Sequence, residues 1–392
     1  MSEIILFFEL GLALILAKLF GELFERMKQP AVMGEILAGI IIGQQVLGHY
    51  IGLDLTGEVF KSIAGIGSLI LLFLSGLEVE LSELKKTGKL AVTVATGGVL
   101  LPFFGGYLVS QFFGYSFSQS LLVGVILTAT SVGVTARVLL DAEMLNTRAG
   151  TTILGAAVID DVFGILMLVL ASSLAVKHGL DVSGLSTLGI SIFLFFFITL
   201  YLGLKFIGRV VDLQSRMITS NALLAMSLGL GFLFGVFAEE IKIAAITGAF
   251  IAGLIIGETP HKQRMVEETR VLGHGFFIPL FFVYVGALFD FSALLNAGSL
   301  IVLVVFVAIF GKLIGCGLPA KLMGSSNRES IIIGVGMIPR MEIGLIVAAI
   351  GIELGMASGV EAEMLALAIV TSIVTGLLPL FFLRPLLRGY KG

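Results

Sequence analysis

The chain is a succession of continuous apolar runs, each about 17–25 residues long, separated by short polar segments. A run of this length crosses the hydrocarbon core of a bilayer, roughly 30 Å thick, as an α-helix. Strands of a membrane barrel alternate apolar and polar residues instead, so the pattern favours helices. We predict thirteen spans, at residues 3–25, 31–47, 58–77, 88–112, 118–139, 149–176, 185–210, 218–238, 242–257, 269–289, 298–322, 328–352 and 362–386.

The composition points to the same class. Hydrophobic residues make up 57% of the 392 positions and charged residues 13%, and the mean hydropathy is +1.10. A soluble domain carries roughly twice that charged fraction. The net charge of −3 gives no reason to expect a nucleic-acid partner, and the single cysteine, Cys316, excludes an internal disulfide. We therefore predict an all-α integral membrane protein, a single transmembrane unit over residues 1–392 surrounded by lipid.

Basic residues are distributed unevenly between the two ends of the predicted spans. Because the number of spans is odd, the two termini lie on opposite sides. Eighteen of the 24 Lys and Arg residues fall on the side of the C-terminus, and only Lys61, Lys177 and Lys242 on the other. Cytoplasmic loops are enriched in Lys and Arg. We therefore predict a multi-pass protein of the cell membrane, inner or plasma, with the N-terminus outside and the C-terminus in the cytoplasm.

The two halves of the chain share short segments at a nearly constant separation. Residues 34–43 in the second span match residues 248–257 in the ninth span at six of ten positions. Further matches at an offset of 210 pair spans 3 and 10, and spans 5 and 12. Spans 1–6 then pair with spans 8–13, and a shift of seven spans inverts the second copy. Inverted repeats are typical of secondary transporters; shared helix-packing motifs of small residues are the alternative explanation.

Three of the charged residues deep within predicted spans lie in the sixth and eleventh spans. Asp160 and Asp161 lie in the sixth span, and Lys312 lies in the eleventh. A charge at membrane depth costs roughly 2.5–3.5 kcal/mol on insertion scales, so it indicates function by default. Adjacent helical residues point about 100° apart, so one aspartate can face a partner while the other faces a cavity. A static salt bridge is the alternative, but one lysine neutralises only one carboxylate.

Spans 5 and 12 carry residues that interrupt a helix at mid-membrane. The polar residues of the fifth span are Thr128, Thr130, Ser131 and Thr135. The corresponding residues of the twelfth span are Pro339, Arg340 and Glu342. Proline removes a backbone donor and clashes with the preceding turn. Paired interruptions at repeat-related positions indicate a transport site where the two segments cross at the midplane. There we expect Arg340 and Glu342 to neutralise the helix ends.

A buried carboxylate among hydroxyls and carbonyls is suited to a monovalent cation. Hard cations take oxygen ligands, and the sequence offers the Asp161 carboxylate, a hydroxyl such as that of Thr130, backbone carbonyls and water. Na⁺ and H⁺ would compete for this one carboxylate. Exchange follows from that competition, because moving an empty charged site across the membrane is costly.

Four features together resemble the monovalent cation:proton antiporter-2 family: the Asp160-Asp161 pair, the polar run of the fifth span, Lys312, and the segment from Pro339 to Glu342. Within that family the chain is similar to the bacterial sodium/proton antiporters with an Asp-Asp pair. The resemblance covers essentially the whole chain. It implies that Asp161 binds the ion and that Asp160 pairs with Lys312.

The resemblance also implies an architecture of two parts. A core at about 88–176 and 298–386 would carry the ion and move like an elevator against a scaffold at about 1–87 and 185–289. The scaffold would form a homodimer.

We therefore expect electrogenic exchange of Na⁺, and also Li⁺, for H⁺. Potassium/proton exchange and sodium-coupled symport of an organic anion are the alternatives. A passive channel gains no support from a buried carboxylate–lysine arrangement. The sequence shows no phosphate-binding loop, metal-ligand cluster or nucleophile triad, so we expect a transporter without a cofactor rather than an enzyme.

Overall fold

A computed structural model of the chain describes residues 3–27, 29–79, 88–131, 133–145, 147–176, 199, 201, 203, 205–207, 219, 221–240 and 245–387. All regular structure in these residues is helical, which confirms the predicted all-α class. Nine helices in the described part are long and apolar enough to cross a membrane, and three apolar helices there are shorter. The seventh predicted span, 185–210, lies outside the described residues apart from a few positions. The count of thirteen spans therefore stays a prediction.

The α-helices of the described residues are numbered here in chain order. They are α1 (Glu3–Arg26), α2 (Ala31–Ile42), α3 (Glu58–Glu78), α4 (Lys89–Phe112), α5 (Phe117–Ile126), α6 (Gly133–Asp141), α7 (Arg148–Val176), α8 (Ala222–Glu240), α9 (Ala245–Gly257), α10 (Lys262–Leu272), α11 (Ile278–Ala287), α12 (Phe291–Asn296), α13 (Gly298–Leu322), α14 (Asn327–Gly336), α15 (Glu342–Glu353) and α16 (Glu361–Leu387). A π-helical turn, Gln44–Gly48, follows α2. A second π-helical turn, Gly273–Phe277, joins α10 to α11.

The chain divides into two compact units. Unit 1 comprises Met1–Leu19, Glu35–Leu81 and Val176–Ala287. Unit 2 comprises Phe20–Gly34, Ser82–Ala175 and Leu288–Gly392. The predicted roles of a moving core and a dimerising scaffold concern function and stay predictions.

The tenth predicted span begins earlier than its hydropathy suggests. The span consists of α10, a π-helical turn and α11 in succession. Its helical structure therefore starts at Lys262 rather than at residue 269. Its first turns are polar and are held by side chains: Arg270 Nη2 lies 2.7 Å from Glu78 Oε1, and Lys262 Nζ donates to the Glu78 carbonyl at 3.1 Å. A search for apolar runs passes over such a polar helix.

Two predicted spans are each broken into two helices. The fifth span consists of α5, which ends at Ile126, and α6, which begins at Gly133. The twelfth span consists of α14, which ends at Gly336, and α15, which begins at Glu342. The second break contains the proline that the sequence marks as a helix breaker. Both breaks lie in unit 2.

Matched glycine contacts in unit 1 support the internal repeat. A Cβ at Gly39 would collide with the carbonyl oxygen of Val283, and a Cβ at Gly253 would collide with that of Phe73. Gly253 lies 214 residues after Gly39, and Val283 lies 210 residues after Phe73. The same backbone-to-backbone contact therefore occurs twice. The first copy supplies the glycine in one contact, and the second copy supplies it in the other.

Unit 2 contains a second matched feature, at the start of each broken span. Ser116 caps α5 in a capping box with Gln119, and Ser326 caps α14 in a capping box with Glu329. Both pairs are 210 residues apart. A capping box satisfies backbone donors at a helix start reciprocally. The two copies in unit 2 are thus α4–α7 and α13–α16, each of which includes one broken span.

The glycine contacts of unit 1 give a stability prediction. We expect Gly253→Ala and Gly39→Ala to lower the free energy of unfolding by about 1–3 kcal/mol each, because the added methyl overpacks a backbone contact. The measurement is the melting temperature in detergent, followed as the monodisperse fraction after heating. Gly65→Ala is the control, because a Cβ at Gly65 meets no atom within 4 Å. Equal melting temperatures for all three variants would contradict the prediction.

Candidate ion-binding site

Helices α7 and α13 each bring one buried charge to the same point in unit 2. Asp160 lies in α7 and Lys312 in α13, and both side chains are fully buried. Lys312 Nζ donates to Asp160 Oδ2 at 2.5 Å. Small apolar residues of α7, among them Ala156 and Ala157, belong to the hydrophobic core beside the pair. Removing one partner of a buried ion pair leaves a lone charge, and such a change costs about 3–5 kcal/mol.

The two aspartates have different environments. Thr130 Oγ1 also donates to Asp160 Oδ2, at 2.7 Å, so this oxygen accepts two hydrogen bonds. Asp160 Oδ1 accepts none from the residues that the structure describes. Asp161, in contrast, is partly exposed. The geometry thus places one carboxylate against Lys312 and Thr130, whereas its neighbour Asp161 is partly exposed and has one buried carboxylate oxygen, Oδ1.

The two breaks lie directly against each other. The Ser131 amide donates to the Pro339 carbonyl at 2.8 Å, and Thr135 Oγ1 donates to the Gly336 carbonyl at 2.7 Å. Backbone groups freed by a break need partners inside a membrane, because no water is available there. Each break therefore supplies part of what the other one lacks.

Arg340 lies at the ends of both broken helices. Its side chain is fully buried, with 1% of its surface exposed. Nε and Nη2 donate to the Leu127 carbonyl at 2.9 and 2.6 Å, at the C-terminal end of α5. Nη1 donates to the Ala308 carbonyl of α13 at 2.7 Å, and at 3.4 Å to the Ile338 carbonyl just after α14. A cation is favoured at helix C-termini, where the helix dipole is negative.

Not every predicted residue joins the buried pair. Thr128 lies just after α5, and its Oγ1 donates to the Val125 carbonyl in the last turn of that helix at 2.7 Å. Thr130, predicted as a sodium ligand beside Asp161, bonds to Asp160. Glu342 is the first residue of α15, but its side chain lies outside the described part of the structure. The roles of these residues in binding an ion stay predictions.

Comparison with known proteins identifies the family. Residues 11–389 match the model of the family described as "Sodium/hydrogen exchanger, transmembrane". The probable Na⁺/H⁺ antiporter GerT of Bacillus cereus is 36% identical, over 94% of this chain and 94% of its own length. The Na⁺/H⁺-K⁺ antiporter GerN of the same organism is 33% identical, again over 94% of each chain. This chain belongs to the sodium/hydrogen exchanger family.

The exchanger fold is also found among solved structures. The structure of the sodium proton antiporter MjNhaP1 from Methanocaldococcus jannaschii matches with a TM-score of 0.75, over 97% of both chains and at 19% identity. At this level of identity the match shows the fold alone. Together with the family match, it identifies the chain as a membrane-embedded helical protein.

Two small polar residues of α16, Ser372 and Thr375, hold the second break of the exchanger, and sequence reasoning missed them. The Arg340 amide donates to Thr375 Oγ1 at 3.0 Å, and Ser372 Oγ donates to the Met341 carbonyl at 3.4 Å. Thr375 Oγ1 in turn donates to the Thr371 carbonyl at 2.7 Å. The available signal was the spacing of Ser372 and Thr375, since residues three apart share one face of a helix.

This tether gives a prediction with a matched control. Thr375→Val leaves the buried Arg340 amide without its acceptor, which costs about 1–3 kcal/mol. We expect a lower melting temperature in detergent. Thr371→Val is the control, because its buried hydroxyl has no hydrogen-bond partner among the described residues and the carbonyl that accepts from Thr375 is retained. The two variants are isosteric changes one turn apart, so an equal loss from both would refute the assigned tether.

Proposed function

We propose that this chain is a sodium/proton antiporter, a transporter rather than an enzyme. The observation that carries the proposal is the buried Asp160–Lys312 pair, with the partly exposed side chain of Asp161 next to it in α7. In the same unit, Asp160 is bonded to Thr130 in the break of the fifth span. The name of GerT, a probable Na⁺/H⁺ antiporter alignable over nearly the whole chain, supports the same activity.

The proposed chemistry is competition between two cations for Asp161. A carboxylate that is accessible to water binds either Na⁺ or H⁺, and hydroxyl and carbonyl oxygens at the breaks complete a set suited to a hard cation. Thr130 is the hydroxyl that we assign to this set. Each ion neutralises the carboxylate, and a neutralised site crosses the low-dielectric interior at lower cost than a charged one.

Asp160 and Lys312 make the exchange electrogenic in this proposal. The site contains two carboxylates and one ammonium. More than one proton can therefore leave the site for each Na⁺ that binds. Release of the Lys312 proton on sodium binding would leave a net charge to move with each cycle. The paired geometry, with one hydrogen bond at 2.5 Å, couples the states of the two groups.

The proposal also includes the conformational change during transport and the oligomeric state. Unit 2 contains both breaks and the charged residues, so we assign it to the moving core and unit 1 to the scaffold. The core would move like an elevator, and the scaffold would hold two copies together as a homodimer. In the cell membrane the N-terminus would lie outside and the C-terminus in the cytoplasm, as the distribution of Lys and Arg indicates.

Potassium transport is the second candidate. The relative GerN is named a Na⁺/H⁺-K⁺ antiporter and is 33% identical to this chain. The oxygen ligands assigned above accept either alkali cation. Selectivity is measured by adding Na⁺, Li⁺ or K⁺ to the purified protein in proteoliposomes that contain a pH-sensitive dye. We expect responses to Na⁺ and Li⁺; a response to K⁺ alone would favour the second candidate.

The role of Asp161 gives the central prediction. We expect Asp161→Asn to abolish sodium-driven proton movement in proteoliposomes, because the amide carries no charge for Na⁺ or H⁺ to neutralise. Glu22→Gln is the control, since it removes a carboxylate from an exposed pair with Arg26 on α1. Exchange that survives Asp161→Asn at the control rate would refute the assigned role.

Lys312 gives a separate prediction. We expect Lys312→Gln to lower the melting temperature, because one partner of a buried ion pair is lost at a cost of about 3–5 kcal/mol. We also expect exchange to lose its dependence on an imposed membrane potential while some sodium-driven proton movement remains. A variant that is as stable and as electrogenic as the unmodified protein would contradict this prediction.

A further inference from the structure

The start of α14 contains buried polar atoms without hydrogen-bond partners. Ser325, Glu329 and Ser330 are 2%, 6% and 5% exposed. No group in the described part of the structure forms a hydrogen bond with Ser325 Oγ, Glu329 Oε1 or Ser330 Oγ. Buried polar atoms in native proteins nearly always have partners, and the exceptions indicate bound water or an ion. Three such atoms within six residues therefore indicate a bound ligand at this helix start.

The internal repeat shows how the same positions are satisfied in the other copy. At the offset of 210, the corresponding residues at the start of α5 are Tyr115, Gln119 and Ser120. The Tyr115 hydroxyl donates to Glu363, and Gln119 Nε2 donates to the Ser358 carbonyl at 3.0 Å. Ser120 Oγ accepts from Gln111 Nε2 at 3.0 Å. Each of these side chains is thus bonded within the protein, whereas its counterpart at the start of α14 retains an unpartnered oxygen.

The second copy has lost the hydrogen-bond donors that serve the first. Gln119, whose amide donates, is replaced by the carboxylate of Glu329, which accepts only when ionised. Gln111, the donor to Ser120, is replaced by Lys321, which is exposed and does not bond to the Ser330 hydroxyl. What remains at the start of α14 is a carboxylate oxygen and two hydroxyl oxygens. An all-oxygen set with one negative charge is suited to a hard cation.

The capping box holds these groups at one end of the helix. Glu329 Oε2 accepts from the Ser326 amide at 3.3 Å, so the carboxylate folds back onto the residue that follows Ser325. The Ser330 amide donates to the Ser326 carbonyl at 2.9 Å. The three residues with unpartnered oxygens therefore lie within roughly one and a half helical turns.

Arg148, the first residue of α7, already faces the carboxylate. Its Nε lies 3.6 Å from Glu329 Oε1, too far for a hydrogen bond. The Arg148 side chain is 54% exposed, whereas that of Glu329 is 8% exposed. A half-exposed ion pair contributes little net stability, because water solvates the guanidinium when it leaves. A cation that binds Glu329 would therefore displace Arg148 at small cost.

We propose that the start of α14 is a second binding site for a monovalent alkali cation, Na⁺, in exchange for Arg148. The ligands are the Glu329 carboxylate and the hydroxyls of Ser325 and Ser330. One carboxylate balances one positive charge, and the affinity of oxygen sites for divalent ions increases with the number of charged ligands. The partial positive charge of the helix N-terminus weakens cation binding, so the ion exchanges readily.

The position of the site suits an ion that enters from the predicted cytoplasmic side. Arg148 and Asp161 lie on the same helix, roughly 20 Å apart along its axis. Weak binding allows an ion to move on towards a deeper site. A role in the entry of sodium rests on the sodium/proton antiport proposed above, whereas the binding of the cation does not.

The first test measures sodium-dependent stability of the purified full-length protein. All variants carry Asp161→Asn, which removes the proposed transport site. Melting temperatures in detergent are compared in NaCl and in choline chloride at equal ionic strength, so that charge screening is matched. We expect Na⁺ to raise the melting temperature, because a ligand of the folded state stabilises it. Glu329→Gln should weaken the apparent sodium affinity about tenfold or more. It keeps the cap, since Gln119 accepts from the Ser116 amide in the same way.

Ser330→Ala and Ser120→Ala form a matched pair in this test. Ser120→Ala removes a hydroxyl that is bonded to Gln111, so we expect a lower melting temperature in both salts and an unchanged sodium shift. Ser330→Ala removes a hydroxyl without a protein partner, so we expect it to reduce the sodium shift. A shift that survives Glu329→Gln and Ser330→Ala would overturn the proposal. The absence of any sodium shift in Asp161→Asn would also overturn it and leave ordered water as the partner.

Arg148→Gln distinguishes a displaced counter-charge from a purely structural ion pair. We expect this variant to increase the apparent sodium affinity severalfold, because the competing cation is gone. It should also lower the melting temperature in choline chloride, where Glu329 then has no counter-charge. Lower stability without a gain in sodium affinity would refute the exchange of Arg148 for Na⁺.

The second test measures transport in proteoliposomes with Asp161 intact. We expect Glu329→Gln to raise the KM for Na⁺ severalfold with a smaller effect on kcat, and Ser120→Ala to leave KM unchanged. A sodium shift that depends on Glu329 in a protein that exchanges no cation would refute the antiport function but support the second site. An unchanged KM in an active Glu329→Gln variant would overturn the role of this site in the entry of sodium.

Discussion

The hydrogen-bonded ion pair of Lys312 and Asp160 is the contact on which the organisation of unit 2 depends. Neither charge tolerates burial alone, because taking an ion out of water costs several kcal/mol even after the protein relaxes. Helix α7 must therefore keep Asp160 against α13, and Thr130 must stay close enough to bond the same oxygen. One electrostatic requirement thus fixes two continuous helices and a break relative to one another. The charge of the adjacent Asp161 also acts on this pair, because charges interact strongly in a low dielectric.

The breaks raise a second requirement, which concerns the backbone. Interrupting a helix inside a membrane leaves carbonyls and amides that no water can satisfy. Arg340 donates hydrogen bonds to two of these carbonyls, those of Leu127 and Ile338 at the ends of α5 and α14. On the amide side, Ser131 donates to the opposite break and Arg340 donates its own amide to Thr375. The unwound segments are thus satisfied by protein groups at these positions, which keeps irregular backbone stable at membrane depth.

Sequence reasoning reached the features that depend on residue type along the chain. Apolar runs predict spans, Pro339 predicts a break, and Asp160, Asp161 and Lys312 stand out because charge is rare in such runs. Which aspartate faces the lysine came from the family resemblance, because the helical spacing alone permits either one.

Features that depend on contacts across the fold could not be predicted in this way. The polar start of α10 is held by Glu78 from another helix, and hydropathy does not report that interaction. Thr375 is one of many hydroxyls in apolar helices, and only its contact with the Arg340 amide distinguishes it. The internal repeat, in contrast, was visible in sequence because its glycines are required by backbone contacts such as that of Gly39 with Val283, which few substitutions preserve.

The two repeat copies in unit 2 share a backbone plan but differ in charge. At the offset of 210, the position of Lys312 is taken by Pro102 in the first copy, and that of Arg340 by Thr130. The position of Asp160 is taken by Val370 in the second copy. At the centre, the first copy thus provides a buried anion and the second provides buried cations. The contacts formed by these charges run between copies, from Lys312 to Asp160 and from Arg340 to the end of α5. Since a buried charge without a partner is strongly destabilising, each copy depends on the other for its neutralisation. A duplicated fold with identical centres would place like charges together, so divergence between the copies is what makes a single, neutralised site at the crossing possible.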